Sequence, residues 1–276
     1  MNKANVIALC HKVAQKTGLN FNTVLLYYFL ETILRRLSKG EYKDRFIFKG
    51  GFLLSNVIGV QTRSTVDLDF LISNMPMSEE SIKEVLEESL KNNDEDDIIC
   101  ELQGIQPIRE NDQYGGFRVQ ILCRLENIRQ VVPLDIATGD VITPYPVDYR
   151  YVSIFSDESI PIKAYPVETM IAEKLQTIYA RGFLNSRSKD YYDLHILYKL
   201  QGQNLDADIL KEACERTFRY RSTEFDVAKL STLLTDLKED ESFLIRWKAY
   251  AKRNGYVGDI SFAEVIDDAL KLIKMM

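Results

Sequence analysis

Two aspartates, Asp67 and Asp69, stand inside an otherwise apolar segment, TVDLDFLI, which is predicted to form a buried β-strand over Thr65–Ile72. Side chains of a strand alternate between its two faces, so both carboxylates are predicted to point the same way. Two like charges on one face repel each other, and a divalent cation such as Mg²⁺, which prefers oxygen ligands, would relieve that repulsion. The alternative is structural, with Asp67 capping a turn and Asp69 paired with an arginine such as Arg63.

Two adjacent glycines, Gly50 and Gly51, stand between a predicted strand, Arg45–Phe48, and a predicted short helix, Phe52–Ile58. Glycines at such a junction let backbone N–H groups approach a phosphate, and a helix N-terminus favours negative charge. A glycine pair can also be a simple turn. Followed by a strand that carries D-x-D, however, the pair favours a site in which one element holds phosphates and the other holds a metal ion.

The length, composition and net charge of the chain limit the kinds of protein that it can be. Its 276 residues, 46% hydrophobic and 28% charged, suit one large domain or two small ones. A net charge of −6 argues against a protein that coats nucleic acid by bulk electrostatics, and two histidines nearly exclude a histidine-rich zinc site. Because no apolar run is long enough for a signal peptide or a membrane span, we expect a cytoplasmic protein that does not bind membranes.

The hydrophobic periodicity predicts the elements that must position these residues. Helices are predicted at Asn5–Thr17, Phe21–Ser38 (capped by Asn20), Ser78–Lys91, Val167–Ala180, Ser188–Leu200, Ala207–Phe218, Val227–Leu237, Ser242–Arg253 and Phe262–Ile273. Further strands are predicted at Ile98–Ile105, Gly116–Leu125 and Val131–Ala137. The change to a wholly helical pattern places a domain boundary near residue 165. The cysteines Cys10, Cys100, Cys123 and Cys214 are widely spaced and are predicted to be structural thiols.

The segment that begins at Lys49 resembles the first motif of the nucleotidyltransferase superfamily with the DNA polymerase β type core, and specifically of its AbiEii/AbiGii toxin branch. In that branch K-G-G and then R-x-S-x-D-L-D-F are typical, and here Thr65 and Val66 make the spacing one residue longer than the tightest form. The matching residues are Lys49, Gly50, Gly51, Arg63, Ser64, Asp67, Leu68, Asp69 and Phe70. Three later stretches also resemble family motifs: Pro133–Ile136 with Gly139-Asp140, Ala164–Gly182, and Asn185–Leu194.

This resemblance implies an α+β fold: a polymerase β type core, with a mixed sheet flanked by helices, over residues 1–165, and a helical domain over 166–276 that completes the active-site cleft. It further implies a toxin of a type IV toxin–antitoxin system linked to abortive phage infection. The implied reaction moves a nucleotide from a nucleoside triphosphate, with GTP favoured, to an RNA acceptor at the tRNA 3′ end. A cognate antitoxin would act without a stable complex. Transfer to a protein hydroxyl and a non-catalytic nucleotide-binding regulator are the alternatives.

The resemblance also assigns roles to individual residues. Asp67 and Asp69 would hold Mg²⁺ or Mn²⁺, and Asp135 would complete a carboxylate triad or serve as a hydrogen-bond acceptor at a strand end. The nucleotide would be bound by Lys49, Gly50, Gly51, Arg63, Ser64, Arg187 and Lys189.

Two catalytic roles are implied for the helical half. Lys174 would contact the nucleotide, although a lysine on an apolar helix face can also extend to solvent. Asp190 would act as an acid or base; alternatively, R-S-K-D-Y-Y-D is a salt-bridge cluster in which Ser188 caps a helix.

One helix offers basic and aromatic residues for an RNA acceptor. On Ser242–Arg253, Trp247 and Tyr250 are surrounded by Arg246, Lys248, Lys252 and Arg253. Such residues can bind phosphates and stack on bases. A solvated helix with Trp247 in the core is the favoured alternative.

Overall fold

The computed structural model describes residues 1–63, 65–76, 78–91, 96–108 and 115–276. The chain divides into two units. The first unit comprises Met1–Asp140 with Val147–Ala164, and the second comprises Val141–Pro146 with Tyr165–Met276. The predicted domains, 1–165 and 166–276, and the role assigned to the second of them stay predictions.

The described part of the first unit contains a mixed sheet of seven strands. The strands are β1 (Phe46–Lys49), β2 (Leu68–Ile72), β3 (Ile99–Pro107), β4 (Gly116–Leu125), β5 (Ile128–Ala137), β6 (Val147–Val152) and β7 (Ser159–Ala164). Their order across the sheet is β3-β4-β5-β2-β1-β7-β6. The β2–β5 and β1–β7 pairs are parallel and the other pairs are antiparallel. The predicted α+β fold class is confirmed.

Four described helices accompany this sheet: α1 (Lys3–Thr17), α2 (Phe21–Leu37), α3 (Gly50–Ile58) and α4 (Glu79–Ser89). Asn20 caps α2 as predicted, because its side chain accepts from the backbone N–H of Thr23. Phe46, Phe48 and Phe70 are buried, and the rings of Phe46 and Phe48 on β1 each contact the ring of Phe70 on β2. Since side chains alternate along a strand, the residues between them point to the opposite face of the sheet.

The second unit is helical. Its main described helices are α5 (Val167–Arg181), α6 (Ser188–Gln201), α7 (Ala207–Tyr220), α8 (Val227–Glu239), α9 (Glu241–Arg253) and α10 (Phe262–Met275). Each predicted helix of the chain agrees with an observed one to within two residues at either end. No described helix is long and apolar enough to cross a bilayer.

The predicted start of one strand was wrong, and two strands were not predicted. The strand predicted from Thr65 begins at Leu68, because the Thr65 N–H donates to the hydroxyl of Tyr27 (3.3 Å) rather than to a neighbouring strand. Strands β6 and β7 were missed. Strand β7 contains Pro161, and a proline in a sequence disfavours a strand because it has no backbone N–H to donate. In the structure Pro161 lies outside the short pairing of β7 with β1, so the hydrogen bonds of that pairing are not interrupted.

Candidate active site

Four charged residues lie in one row across four neighbouring strands of the first unit. Lys49 on β1 is the register partner of Asp69 on β2, and Asp69 is the partner of Asp135 on β5. Asp135 is in turn the partner of Arg118 on β4. Register partners project from the same face of a sheet, so the row presents a lysine, two aspartates and an arginine on the face opposite the phenylalanine core.

Three carboxylates converge at the centre of this row. Asp67, which immediately precedes β2, joins Asp69 and Asp135, and one carboxylate oxygen from each lies within 4.8 Å of the other two. All three residues are partly buried. A set of hard oxygen donors this close together fits a divalent cation such as Mg²⁺ or Mn²⁺. The hydroxyl of Thr65 donates to Asp67 Oδ1 at 2.9 Å and holds that carboxylate in place.

Within the triad, the carboxyl group of Asp69 has a raised pKa. The pKa of Asp69 is raised to about 6, first by burial and next by the charge of Asp67; Asp135 contributes to the increase, whereas Lys49 and the backbone N–H of Gly51 oppose it. A pKa that rises by one corresponds to about 1.4 kcal/mol of difference between the two protonation states. The ionised triad is therefore unfavourable on its own, and a bound cation would relieve it.

The glycine pair lies directly against this carboxylate. Gly50 has a φ of +72°, and a Cβ there would overlap the Asp69 carboxylate. The N–H of Gly51 donates to Asp69 Oδ2 at 3.3 Å, and a Cβ at Gly51 would overlap the guanidinium of Arg63. The glycines thus let the N-terminus of α3 approach Asp69, with Arg63 behind it. Their predicted role in binding phosphates stays a prediction.

Two partners of the row were missed by sequence reasoning. Lys49 forms an ion pair with Asp140, and Arg118 binds Asp135 with two hydrogen bonds, Nε to Oδ1 at 2.7 Å and Nη2 to Oδ2 at 2.6 Å. Asp135 is therefore both a member of the triad and a hydrogen-bond acceptor, so the two interpretations of this residue hold together. The alternation of side chains along β4 could have predicted that Arg118 lies on its polar face. The position opposite Asp135 depends in addition on the register between β4 and β5.

A second cluster of predicted residues lies within the second unit. Lys174 Nζ on α5 lies 2.7 Å from Asp193 Oδ2 and 3.4 Å from Asp190 Oδ1, both on α6. Arg187 Nε lies 2.8 Å from Asp190 Oδ2. Both aspartates are buried and Lys174 is largely buried, so Lys174 does not extend freely to solvent. Lys189 is exposed.

The predicted cap of α6 was wrong. Ser188 is the first residue of the helix, and Arg187 occupies the N-cap position without a side-chain capping hydrogen bond. The backbone N–H of Arg187 donates instead to Asn185 Oδ1 at 3.1 Å. The buried Asn185 thus organises the chain that enters α6.

The chain matches a known protein family over most of its length. The family model described as "Nucleotidyl transferase AbiEii toxin, Type IV TA system" matches residues 32–270. The chain belongs to this family. The predicted family and the predicted enzyme class, nucleotidyltransferase, are thereby confirmed.

Solved structures agree with the AbiEii assignment at the level of the fold. A candidate nucleotidyltransferase from H. pylori has a TM-score of 0.58 at 15% identity, over 93% of this chain and 95% of that one. JHP933 from Helicobacter pylori has a TM-score of 0.55 at 16% identity, over 93% and 92% of the two chains. No curated protein matches the chain significantly.

Ser64 lies outside the described residues, so its predicted role in nucleotide binding stays a prediction.

Helix α9 carries the basic and aromatic residues considered for an RNA acceptor. Trp247 on this helix is buried, and its Nε1 donates to the carbonyl of Ile260 at 2.8 Å. Arg246 donates to the carbonyl of Asn185 at 2.7 Å and lies over the ring of Phe243. Trp247 is therefore a core residue, as the favoured alternative for this helix predicted.

Proposed function

We propose that this AbiEii family member is a Mg²⁺-dependent toxin that transfers a nucleotide from a nucleoside triphosphate to an RNA acceptor. The observation that carries the proposal is the convergence of Asp67, Asp69 and Asp135 on one face of the sheet. Converging carboxylates are the ligands with which metal-dependent phosphoryl and nucleotidyl transfer enzymes hold their cations. GTP as the donor and the tRNA 3′ end as the acceptor are proposed from the family alone.

Asp67 and Asp69 are proposed to be the metal ligands, for Mg²⁺ or for Mn²⁺ in its place. The ion would neutralise charge on the triphosphate. Asp135 would complete the triad as its third ligand and activate the attacking hydroxyl by accepting its proton. In the transfer, the hydroxyl oxygen forms a bond to the α-phosphorus, the bond from the α-phosphorus to the oxygen that bridges to the β-phosphate breaks, and pyrophosphate leaves with that oxygen.

The nucleotide-binding roles are proposed for residues around the same row. The first turn of α3, which begins at Gly50 and Gly51, offers backbone N–H groups and the positive end of the helix to phosphates. Lys49 and Arg63 add positive charge beside these glycines. Since the N–H of Gly51 already contacts Asp69, the same turn would fix a metal ligand and accept the phosphates.

The roles of Lys174, Arg187, Lys189 and Asp190 stay predictions. Lys174 and Arg187 are already paired with buried carboxylates, so phosphate binding by either would require it to share its charge with those partners. An acid–base role for Asp190 would likewise compete with its two cationic partners. Nucleotide affinity measured for Lys174→Met and Lys189→Met separately would test these roles.

We further propose that the toxin acts in the cytoplasm, where nucleotides and tRNA are found, and that its antitoxin acts without binding it stably. Purification of the toxin from cells that express both proteins tests the second statement. The antitoxin should be absent from the purified toxin at physiological salt.

A labelling experiment tests the reaction. The protein is incubated with each of the four α-³²P nucleoside triphosphates in turn, with Mg²⁺, total RNA and cell protein. Label in tRNA from GTP, absent with Asp67→Asn, supports the proposal. Label in a polypeptide would instead establish transfer to a protein hydroxyl, and nucleotide binding without labelling would establish a non-catalytic regulator.

A further inference from the structure

The ion pair of Arg118 with Asp135 differs from the other ion pairs described for the sheet, because the guanidinium contacts both oxygens of a triad carboxylate. Its two hydrogen bonds to Asp135, at 2.7 and 2.6 Å, fix the plane of that carboxylate. About half of the Arg118 side chain is exposed (51%), whereas Asp135 is 18% exposed. The arginine thus lies at the solvent side of the triad and can move away without opening the core.

The charge of Arg118 also acts on the whole triad. Its guanidinium is hydrogen-bonded to Asp135, and carboxylate oxygens of Asp67, Asp69 and Asp135 lie within 4.8 Å of one another. One positive charge thus stabilises three carboxylates that otherwise repel one another. At the other end of the row Lys49 is paired with Asp140, so its charge is shared with a carboxylate outside the triad.

We propose that Arg118 is a built-in counter-cation of the triad: it holds Asp135 in position and offsets the negative charge until a divalent cation binds, and it therefore weakens the binding of that cation. This inference rests on the metal centre of the proposed function. Each carboxylate oxygen has two lone pairs, and the guanidinium occupies one on each oxygen of Asp135. Asp135 can thus keep Arg118 and still offer an oxygen to a metal ion, but at a site whose charge Arg118 has reduced.

The inference predicts an effect opposite to that of a merely structural arginine. Without Arg118, the triad is more negative and attracts a cation more strongly. We expect Arg118→Gln to bind Mn²⁺ about tenfold more tightly than the wild type, the order expected for one unit charge several ångströms away at a half-exposed site. Without metal the same variant should unfold at a lower temperature, because the three carboxylates repel one another.

The experiment is a Mn²⁺ titration of the full chain without nucleotide, followed by the electron paramagnetic resonance signal of free Mn²⁺. The matched control is Arg124→Gln. Arg124 lies on the same strand and pairs with Glu101, about 20 Å from Arg118 at the usual rise per strand residue. Arg124→Gln should bind Mn²⁺ as the wild type does. Arg118→Lys, which keeps the charge but loses the two-point contact, should stay within about threefold of the wild type.

The outcomes separate this inference from the proposed function. Equal or weaker Mn²⁺ binding by Arg118→Gln overturns the counter-cation role, while Asp67-dependent binding by the wild type would still establish the metal centre. Absence of binding in both proteins overturns the two together. If Arg118→Gln does not fold in EDTA, the inference predicts that excess Mn²⁺ restores its circular dichroism spectrum, and failure of that rescue contradicts it.

Discussion

The two clusters of predicted site residues differ in how their charges are arranged. In the first unit the carboxylates of Asp67, Asp69 and Asp135 face one another, and the cations Lys49 and Arg118 stand at the two ends of the row. In the second unit, by contrast, cations lie among the carboxylates. Lys174 contacts Asp190 and Asp193, and Arg187 contacts Asp190.

This difference separates a site with an excess of negative charge, which attracts a cation from outside, from a site whose charges are already paired. The three carboxylates of the triad repel one another, and Arg118 offsets only part of their charge. Buried carboxylates that are paired with lysine and arginine have their partners within the protein, and removal of those partners leaves uncompensated charge. We therefore expect substitutions in the first cluster to act mainly on metal binding and activity, and substitutions in the second to act strongly on stability.

The largest expected effect is on activity in the first cluster. Asp69→Asn removes one charged ligand and should lower the rate of nucleotidyl transfer by about a thousandfold or more, as expected when a group that stabilises transition-state charge is lost. Initial rates with labelled GTP and tRNA measure it. Asp236→Asn, at an exposed position on α8, is the control and should keep wild-type rates. Activity of Asp69→Asn within tenfold of the wild type would contradict the assignment.

The second cluster is tested by its stability. Lys174→Met leaves the buried Asp193 and Asp190 without their shared cation and should lower the free energy of unfolding by about 3–5 kcal/mol. Urea denaturation measures this loss. Adding Asp193→Asn should recover much of it, because the uncompensated charge is then removed. If the single variant were as stable as the wild type, the cluster would not be a structural ion pair.

The close approach of Gly50 to Asp69 predicts a smaller loss. Gly50→Ala places a methyl group against the carboxylate at a φ of +72° and should cost about 2–4 kcal/mol of unfolding free energy. Gly18→Ala is a matched control, since Gly18 has a φ of +73° with open space where a Cβ would lie. That variant should lose only the backbone strain, about 1–2 kcal/mol. Equal losses in the two variants would show that contact with Asp69 does not constrain Gly50.

The pKa of Asp69 predicts the smallest effect. Its folded-state value of about 6 exceeds the ordinary 3.8, so the folded state holds the proton more tightly and ionisation opposes folding. The cost is absent below pH 3.8, grows up to about pH 6 and is constant above it. In EDTA at about pH 7.5, Asp69→Asn should therefore be more stable than the wild type by about 1–3 kcal/mol, and this gain should shrink as the pH falls towards about 4. Urea denaturation across this pH range, with Asp236→Asn as the control, checks both the size and the sign.

Much of the first cluster could be predicted because it depends on local sequence. Alternation along one strand places Asp67 and Asp69 on one side even though the strand begins only at Leu68, and the glycine pair marks the start of α3. The contribution of Asp135 came from family resemblance, since pairing of β2 with β5 joins residues far apart in the chain.

Contacts that depend on strand register or on helix packing could not be predicted from the sequence. Arg118 and Asp135 are 17 positions apart, and only the pairing of β4 with β5 sets them opposite each other. Lys174 and Asp193 stand on different helices, 19 positions apart. Hydrophobic periodicity in the sequence predicts the helix face on which each residue lies, but it does not predict which helix packs against that face.

Together, Asp67, Asp69 and Asp135 are proposed to bind one divalent cation. Calorimetric titration of the full chain with Mn²⁺ at about pH 7.5, without nucleotide, measures that binding. We expect one site in the wild type, a loss of at least about tenfold in affinity in Asp67→Asn, Asp69→Asn and Asp135→Asn, and unchanged affinity in Asp236→Asn. Mn²⁺ binding that is insensitive to all three triad substitutions would contradict this proposal.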